Sequence, residues 1–565
     1  MNEVNLDSED GETPPSEALQ ALVASNDHAA ESSNRHWSIY ALLIGVCGAM
    51  LIGRILSLQP TLDNRNSPFF SANDRSRWAT IKALGDDGTY EIDALVLQTE
   101  KIAGRNVRPW DTIDKVAHRG EDGDIHYYSS KPTLLPTALA IQYRGLQSLT
   151  GWNLEDDRFP MTQLMLVMSN AIPFMIYLSL LALLVHRLTD QAFTSWVVIL
   201  VAGMGTFLST FAISLNNHLP AAISVAVVVF CGIQLHDKVF RSLGWFLLAG
   251  AAAAFAVSNE LPALSFFCLA SLAFLKINPR LFLLGFLPAA GLVACAHFGT
   301  NWQAHGSWRP AYAHRQDGEM LGQLETSWTQ SFEDQRLPDP LREELLQIGV
   351  DVGDAWQLWP GEMEVPESTR RWVIMNLRTS ERWALVQENL ESAISVHAWD
   401  NWYEYPGSYW TADISKRSQV DQGEVSRPLY LFHMLLGHHG VFSLTPVWLL
   451  SIGGAFIWLL KDRGTLRWLV LGFGLLIFVC IAFYVARPMI DRNYGGQTSG
   501  LRWMFWFIPF FVLAMIPMLD RLSSSSWGRG LVIVLTGVSI ASATFSAMNP
   551  WVHPWMYQWF FMPQA

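Results

Sequence analysis

Two stretches of the sequence, residues 71–78 and 127–136, contain side chains that can carry out chemistry. The first contains Asp74 and the second contains Lys131. A carboxylate can take a proton from a hydroxyl group, and a lysine can hold a phosphate. We predict that Asp74 opens a short helix, 75–84, which ends at a Gly-Asp-Asp-Gly turn. Two simpler interpretations stay open: Asp74 only caps this helix, and Lys131 only anchors the loop to lipid headgroups.

The elements that must position these residues are predicted to be membrane-spanning helices. Half of the 565 residues are hydrophobic, and apolar runs recur with a length of about twenty residues, which is enough to cross the hydrocarbon core. We therefore predict an all-α polytopic membrane protein with about eleven transmembrane helices and two large non-cytoplasmic loops. The predicted spans lie near residues 37–58, 161–186, 191–213, 219–236, 242–258, 261–276, 281–299, 440–460, 466–486, 501–519 and 529–547.

These spans divide the chain into seven consecutive regions. They are a disordered cytoplasmic tail, 1–36; a first transmembrane helix, 37–58; a first outer loop with the two motifs and interfacial helices, 59–159; transmembrane helices 2–7, 160–299; a large outer loop or small soluble domain, 300–437; transmembrane helices 8–11, 438–547; and an outer C-terminal tail, 548–565. Lys and Arg alternate between the short loops in a pattern that places the N-terminus in the cytoplasm. Both large loops and the C-terminus then lie outside.

Composition argues against a nucleic-acid-binding protein and against a protein built on cysteine-bound metal or disulfides. The net charge is −12, and no basic patch has interleaved aromatic residues, which argues against nucleic-acid binding. The five cysteines all fall inside apolar runs, and their spacing matches neither a metal site nor a disulfide framework.

Further polar residues occur at the outer ends of the predicted helices, in short turns and in one longer segment, 491–503. They are Asn216, His218, Glu260, Tyr494 and Arg502, and Asn73 adds a polar group directly beside Asp74 in the first loop. Ionisable groups at a membrane boundary need a partner or water, so we predict that these residues line one water-filled outer cavity with Asp74. His218 and the segment 491–503 also have simpler interpretations, as a capping histidine and as a flexible turn. Arg502 begins an apolar helix and needs an anionic partner, such as a lipid phosphate.

The first loop resembles that of the GT-C membrane glycosyltransferases. An acid at a helix start, a turn, and Tyr-x-x-Lys-Pro before an apolar helix is most similar to the branch that holds the aminoarabinose transferases of lipid A and the protein O-mannosyltransferases. Tyr494-Gly-Gly followed by Ser499-Gly-Leu-Arg502 is similar to an element before a late helix of that family. The resemblance covers the first span through Pro136 and, more weakly, this last motif.

The resemblance implies a function, a compartment and a set of roles. A sugar would pass from a polyprenyl-phosphate-linked donor to an acceptor hydroxyl of a glycan, lipid or protein, on the non-cytoplasmic face of the inner (cytoplasmic) membrane of the cell envelope. Asp74 would be the catalytic base, and Lys131 and Arg502 would contact the donor phosphate. We add a set of expected donor phosphate or sugar contacts: Tyr494, Asn73, Asn216, His218 and Glu260.

The chain departs from the family pattern at two positions. Arg75 stands where the family often has a second acid, and Ser130 stands where it often has an acid before Lys-Pro. Some relatives bind a divalent cation with such acids, so a cation held by Glu260 and His218 is left open and no other cofactor is predicted. Within 300–437, residues 402–405 are candidate acceptor-side features, and so are residues 437–439 at its end.

Two alternatives to an enzyme stay open. A transporter or flippase of a lipid-linked saccharide would have internal repeats and helices broken near the membrane midplane, and no repeat is visible between the halves of the sequence. The second alternative is a non-catalytic membrane protein on a GT-C scaffold. The absence of the family's acids at positions 75 and 130 is consistent with that alternative. A cavity that opens on one side favours the enzyme, and a passage through the protein favours the transporter.

Overall fold

A computed structural model describes residues 15–60, 67–102, 104–236, 242–325, 328–361, 365–366, 368–410, 417–462 and 464–561. Helix α1, Pro15–Ser57, begins earlier than the predicted span. Residues 15–36 are therefore helical where we predicted a disordered tail. Ala, the strongest helix former, is the commonest residue of this stretch. Residues 1–14 of that tail lie outside the described residues.

The chain is a helical, multi-pass membrane protein. Eight helical segments of the described residues are long and apolar enough to cross a membrane: His36–Ser57, Arg158–Leu188, Ala192–Phe211, His218–Leu235, Pro279–His305, Thr465–Ala486, Arg502–Ser523 and Ser526–Phe545. Three shorter apolar helices occupy the places of the other predicted spans: Leu243–Asn259, Leu261–Ile277 and Trp448–Lys461. The total of about eleven spans stays a prediction.

The first loop combines short helices with two β-hairpins. Its elements are α2 Ala72–Lys82, α3 Asp93–Val96, β1 Glu100–Ile102, β2 Arg105–Val107, β3 Lys115–Arg119, β4 Ile125–Ser129 and α4 Leu134–Thr150. Helix α4 coincides with the stretch 134–149, which we predict to lie along the membrane interface. Its interfacial position stays a prediction. Antiparallel pairing of β3 with β4 places Lys131 just beyond the end of the hairpin.

Nine helices follow the first loop and form the first part of the helical bundle. They are α5 Arg158–Leu166, α6 Ile172–Leu188, α7 Ala192–Met204, α8 Phe207–Phe211, α9 His218–His236, α10 Leu243–Asn259, α11 Leu264–Ile277, α12 Pro279–Leu281 and α13 Leu287–His305. Single π-helical turns connect α5 to α6 and α12 to α13. These pairs therefore continue as the long apolar segments given above.

The second large loop folds around its own small sheet. Its elements are β5 Met320–Leu324, α14 Thr329–Glu333, α15 Asp339–Gln347, β6 Trp356–Pro360, β7 Arg370–Asn376, β8 Arg382–Gln387 and β9 Ile394–Ala398. The five strands are antiparallel in the order β5-β9-β8-β7-β6. They pack with α14 and α15 around a separate apolar core, which includes Leu341, Ile374 and Leu385. The expectation of an all-α chain is corrected here, because alternating apolar residues in the loops form strands.

The last part of the chain returns to helices. They are α16 Arg427–Leu435, α17 Val441–Leu444, α18 Trp448–Lys461, α19 Thr465–Ala486, α20 Ile508–Ala514, α21 Ile516–Ser523, α22 Ser526–Phe545 and α23 Trp555–Phe560. A 3-10 helix, Arg502–Phe507, precedes α20.

The two large loops pack against each other. The Ala117 backbone N–H donates to the Trp402 carbonyl at 2.9 Å, and the His118 ring lies 4.2 Å from the Trp402 ring. His118 Nε2 also lies 3.0 Å from Nδ1 of His305, at the end of α13. Through these contacts, both loops are held at the same end of the helical bundle.

Candidate functional site

A large cavity lies where the two loops meet the ends of the helices. Its volume is ≈ 1990 Å³, compared with roughly 300–1,000 Å³ for ordinary small-molecule sites. Its charged side chains come from both loops and from helix ends: Arg77, Asp114, Lys131, Glu260, Arg315, Glu404, Arg417, Asp421, Arg487, Asp491 and Arg502. Five residues predicted from the sequence are in the wall: Asn73, Lys131, His218, Glu260 and Arg502. Three are not: Asp74, Asn216 and Tyr494.

Asp74 lies in the first turn of α2. The Oγ atom of Ser71 accepts a hydrogen bond from the Asp74 backbone N–H at 3.3 Å, which makes Ser71 the N-cap. The capping role that we considered for Asp74 therefore belongs to Ser71. The helix begins at Ala72, three residues before the predicted start. After a single π turn, the chain leaves the helix at Gly88, whose φ of 75° is left-handed.

The Asp74 carboxylate is fully buried and is held by a hydrogen bond from a distant part of the chain. Its side chain is 0% exposed, and its Oδ2 atom accepts from Trp551 Nε1 at 3.0 Å. Within the described residues, Oδ1 has no hydrogen-bond partner. Burial raises the pKa of Asp74 well above its usual range, against the charge of Arg77 and the Trp551 hydrogen bond. A carboxyl group in such an environment is a candidate for proton exchange.

Lys131 forms an ion pair with Asp114, with 2.9 Å between Nζ and Oδ1. The Asp114 carbonyl accepts hydrogen bonds from Ser76 Oγ at 2.6 Å and from the Ser130 backbone N–H at 3.1 Å, which fixes Asp114 beside Lys131. Burial lowers the pKa of Lys131 to about 8, against the attraction of Asp114. Burial opposes ionisation of Asp114, but the charge and hydrogen bond of Lys131, together with the charges of Arg502 and Arg77, outweigh it and hold the pKa of Asp114 below its usual range.

Residues at the start of α9 and the end of α10 meet in the wall. Nδ1 of His218 contacts Glu260 Oε1, and Asn217 Nδ2 donates to the same oxygen at 2.7 Å. Glu260 is therefore partnered by polar groups of the cavity and is buried.

Asn216 does not take part in this cluster, contrary to our expectation. Its amide donates to the carbonyls of Phe211 and Ser214, and its Oδ1 accepts from the Leu219 backbone N–H at 2.9 Å. Asn216 thus satisfies backbone groups at the start of α9, as is usual for Asn at a helix N-terminus. Its neighbour Asn217 lines the cavity instead.

Arg77 is a buried guanidinium whose hydrogen-bond partners are neutral. Its Nη1 contacts Oδ1 and the backbone carbonyl of Asn73, and its Nη2 donates to Asn217 Oδ1 at 2.7 Å. Within the described residues, no carboxylate is hydrogen-bonded to Arg77. Burial lowers the pKa of Arg77 to about 10, so this group stays charged at neutral pH.

The Arg502 guanidinium, in the cavity wall, likewise contacts no carboxylate among the described residues. Its Nη1 lies 3.4 Å from His218 Nε2, and its guanidinium carbon lies 5.2 Å from the centre of the Trp551 ring. The Gly495 backbone passes close beside it: a Cβ atom there would lie 2.5 Å from Arg502 Nε. Glycine at 495 therefore both adopts a left-handed φ of +99° and leaves room for the arginine.

Tyr494 is buried among histidines outside the wall. Its ring stacks on His439, with 4.5 Å between centroids. Residues 437–439, which we considered as acceptor-side features, are likewise absent from the wall, although Asn493 and Gly495 line it. The segment 491–503 thus lines the cavity at several positions, Arg502 among them, and contributes its tyrosine to packing outside the wall.

The second loop supplies Tyr403 and Glu404 to the wall. Glu404 pairs with Arg371, whose side chain is fully buried and also pairs with Asp317. The sheet is thereby connected to the cavity by buried charges. Trp402, the first residue of the predicted acceptor-side element, stacks on another ring of the loop instead.

One side of the wall is apolar. Its members come from the segment 261–268 and from α19, and several of them are about half exposed: Leu261, Leu264, Val479 and Phe483. Val479 and Phe483 belong to the membrane-spanning segment Thr465–Ala486, so this side of the wall suits a hydrocarbon chain.

The described residues contain no group of three or more His, Cys, Asp and Glu side chains that could hold a metal ion. His218 and Glu260, the candidate ligands of a divalent cation, contact each other directly. A cation there would need a further ligand from the substrate or from water.

Four residues of the site were not predicted from the sequence: Arg77, Asp114, Asn217 and Trp551. Arg77 could have been found, because it follows Asp74 by three residues and shares its helix face. Asp114 and Trp551 could not, since their positions depend on the pairing of loops far apart in the chain.

Comparison with known proteins adds no relative. No family model matches the chain, and no curated protein and no solved structure is significantly similar to it. The fold and the cavity therefore define the class, a helical multi-pass membrane protein with a polar chamber under two folded loops. Its activity has to be inferred from the chamber itself.

Proposed function

We propose that the protein is an integral membrane glycosyltransferase of the GT-C type. It transfers a sugar from a polyprenyl-phosphate-linked donor to an acceptor hydroxyl on the non-cytoplasmic face of the cell membrane. Asp74 is the general base, and Lys131, Arg502 and Arg77 bind the donor phosphate.

The observation that carries this proposal is the pair of guanidinium groups without carboxylate partners. Arg77 contacts only amide and carbonyl oxygens, and Arg502 contacts an imidazole and an indole face. Two partly or fully buried guanidinium groups whose N–H donors contact no carboxylate among the described residues can bind an anion. Lys131 adds a third positive charge to the same wall. A phosphate group satisfies all three, because it carries negative charge and several acceptor oxygens.

The apolar part of the wall supports a lipid-linked phosphate over a free one. The half-exposed side chains of Leu264, Val479 and Phe483 belong to the same cavity as Arg502. A polyprenyl tail would cover them while its phosphate contacts the arginines. A water-soluble sugar nucleotide would leave this apolar surface uncovered.

The proposed reaction needs one base and stabilisation of the leaving phosphate. The acceptor oxygen forms a bond to the anomeric carbon, the bond from that carbon to the phosphate oxygen breaks, and polyprenyl phosphate leaves with the bonding electrons. The acceptor proton passes to Asp74, whose raised pKa makes it the stronger base. Asp114 is the second candidate because it lines the cavity, but its lowered pKa makes it a weaker proton acceptor.

Binding of a polyprenyl monophosphate to the protein in nanodiscs tests the phosphate site. Arg77→Gln and Arg502→Gln should each weaken binding roughly 10- to 100-fold, from the loss of a charge-assisted contact. Arg309→Gln is the control, because Arg309 is exposed, pairs with Asp400 and is not in the wall. Unchanged affinity in both wall variants would contradict the proposed site.

Transfer itself is tested with a labelled donor and an envelope fraction as acceptor. The enzyme should move label from the lipid to an acceptor. Movement of intact donor across the bilayer, with no new bond to the sugar, would favour the transporter alternative instead.

A further inference from the structure

Trp551, in the C-terminal segment, joins two groups of the cavity that are distant in the sequence. Its indole N–H donates to Asp74 Oδ2 at 3.0 Å, and its ring faces the Arg502 guanidinium at 5.2 Å. Trp551 itself lines the cavity. A single side chain therefore contacts both the proposed base and a proposed phosphate ligand.

The Trp551 side chain is held firmly in this position. Phe211 packs edge-on against it, with 5.2 Å between ring centroids. Its backbone N–H donates to Asn549 Oδ1 at 3.0 Å, and the preceding carbonyl, of Pro550, accepts from the Ser499 N–H at 3.0 Å. The last contact links Trp551 to the segment that leads into Arg502. Aromatic packing and backbone hydrogen bonds thus fix both faces of the ring and its N–H direction.

Asp74 depends on this contact. Its carboxylate is completely buried, and Oδ1 has no hydrogen-bond partner within the described residues. An unsatisfied buried carboxylate oxygen is costly and is retained mainly where function requires it. The charged groups that act on Asp74 are Arg77, from its own helix, and Arg502, from the late segment. Trp551 donates a side-chain hydrogen bond to the carboxylate from a distant part of the chain, and its effect on the pKa of Asp74 exceeds that of the hydrogen bond with the neighbouring Ser71.

We propose that Trp551 is a positioning residue of the site: its indole N–H orients the Asp74 carboxylate, and its ring holds the Arg502 guanidinium. One side chain then aligns the base with the group that binds the leaving phosphate. Trp551 lines the cavity and Asp74 does not, so the indole lies between the carboxylate and the chamber. This inference rests on the proposed function for its catalytic meaning, but the contacts can be tested separately.

Two substitutions separate the two contacts. Trp551→Phe removes the N–H donor and keeps a ring for Arg502, whereas Trp551→Ala removes both. Trp555→Phe is the matched control, since Trp555 lies in the same segment, donates its Nε1 to Ser542 Oγ at 2.9 Å and is not in the wall.

The pH profile of kcat/KM for transfer tests the hydrogen bond from the Trp551 indole N–H to Asp74. Loss of the indole donor stabilises the protonated carboxyl, so the acid limb should move to higher pH by about half to one unit in Trp551→Phe. Trp555→Phe should keep the wild-type profile. An acid limb that stays in place in Trp551→Phe would overturn the positioning role.

Binding of polyprenyl monophosphate tests the contact between the Trp551 ring and the Arg502 guanidinium. Trp551→Ala should weaken it about three- to tenfold because Arg502 loses its aromatic support, and Trp551→Phe should bind within about twofold of wild type. If Trp551→Ala bound polyprenyl monophosphate with wild-type affinity, the claim that the Trp551 ring holds the Arg502 guanidinium would be overturned.

An infrared measurement keeps the inference separate from the proposed function. The difference spectrum between each protein and its Asp74→Asn counterpart shows the Asp74 carboxyl band without any turnover. If no donor supports transfer but Trp551→Phe still moves the titration of this band upward, the positioning role stands and the proposed function fails. If the wild-type protein transfers sugar and the Asp74 band in Trp551→Phe titrates as in wild type, the positioning role fails and the proposed function stands.

Discussion

Lys131 should give polyprenyl-phosphate binding a dependence on pH in the alkaline range. Burial lowers its pKa to about 8, from the ordinary 10.5. About nine-tenths of Lys131 is then charged at pH 7 and about one-tenth at pH 9. A phosphate monoester is already close to fully ionised over this range, since its second pKa is about 6. If the charged lysine is the binding form, affinity should fall roughly tenfold between pH 7 and pH 9.

Two variants isolate this effect in the same nanodisc binding assay. Lys131→Arg keeps a positive charge at pH 9, so its affinity should vary little over the range. Lys131→Met lacks the charge throughout, so it should bind weakly at pH 7 and show no alkaline decline. Wild-type affinity that is flat from pH 7 to pH 9 would refute the lowered pKa or the phosphate contact. A decline that persists in Lys131→Arg would assign the titration to another group.

Two structural predictions accompany this one. Arg371→Met removes the buried guanidinium that pairs with Asp317 and Glu404, and it should destabilise the protein by about 3–5 kcal/mol in denaturant unfolding. Arg370→Met, at an exposed pair on the same strand, should cost less than about 1 kcal/mol; equal effects would contradict the buried network. Gly495→Ala should weaken polyprenyl monophosphate binding more than Gly496→Ala does, because both have positive φ but only the first would clash with Arg502. Equal binding by the two alanine variants would refute that steric argument.

The membrane architecture could be predicted from the sequence because it depends on local composition. Apolar runs of span length locate the helices whatever their partners are, and the motif before Pro136 locates α2 and α4. The start of α1 was misplaced, since its N-terminal half is polar yet made of good helix formers. The strands of the second loop were missed because short alternating runs are weak evidence next to the apolar helices.

Site residues could be predicted only where a short connection between two predicted spans fixes the position of the residue. Glu260 and His218 lie at helix ends that are joined by short connections. These connections leave the chain little conformational freedom, and both residues are in the cavity wall. Asn216 and Asn217 are adjacent and equally polar, so the sequence could not show which one caps α9 and which one faces the cavity. Asp114 and Trp551 reach the site through contacts between distant segments. No spacing rule in a single sequence indicates such contacts.

The central claim is that the buried carboxylate of Asp74 is the base of a sugar transfer. It is tested most directly by measuring release of free polyprenyl phosphate from a polyprenyl-phosphate-linked sugar, with an envelope fraction as acceptor. Asp74→Asn preserves the shape of the side chain and the oxygen that accepts from Trp551. The account predicts donor binding like that of wild type and release slowed by a factor of about 10²–10⁴ in this variant. Release at the wild-type rate by Asp74→Asn would contradict the account.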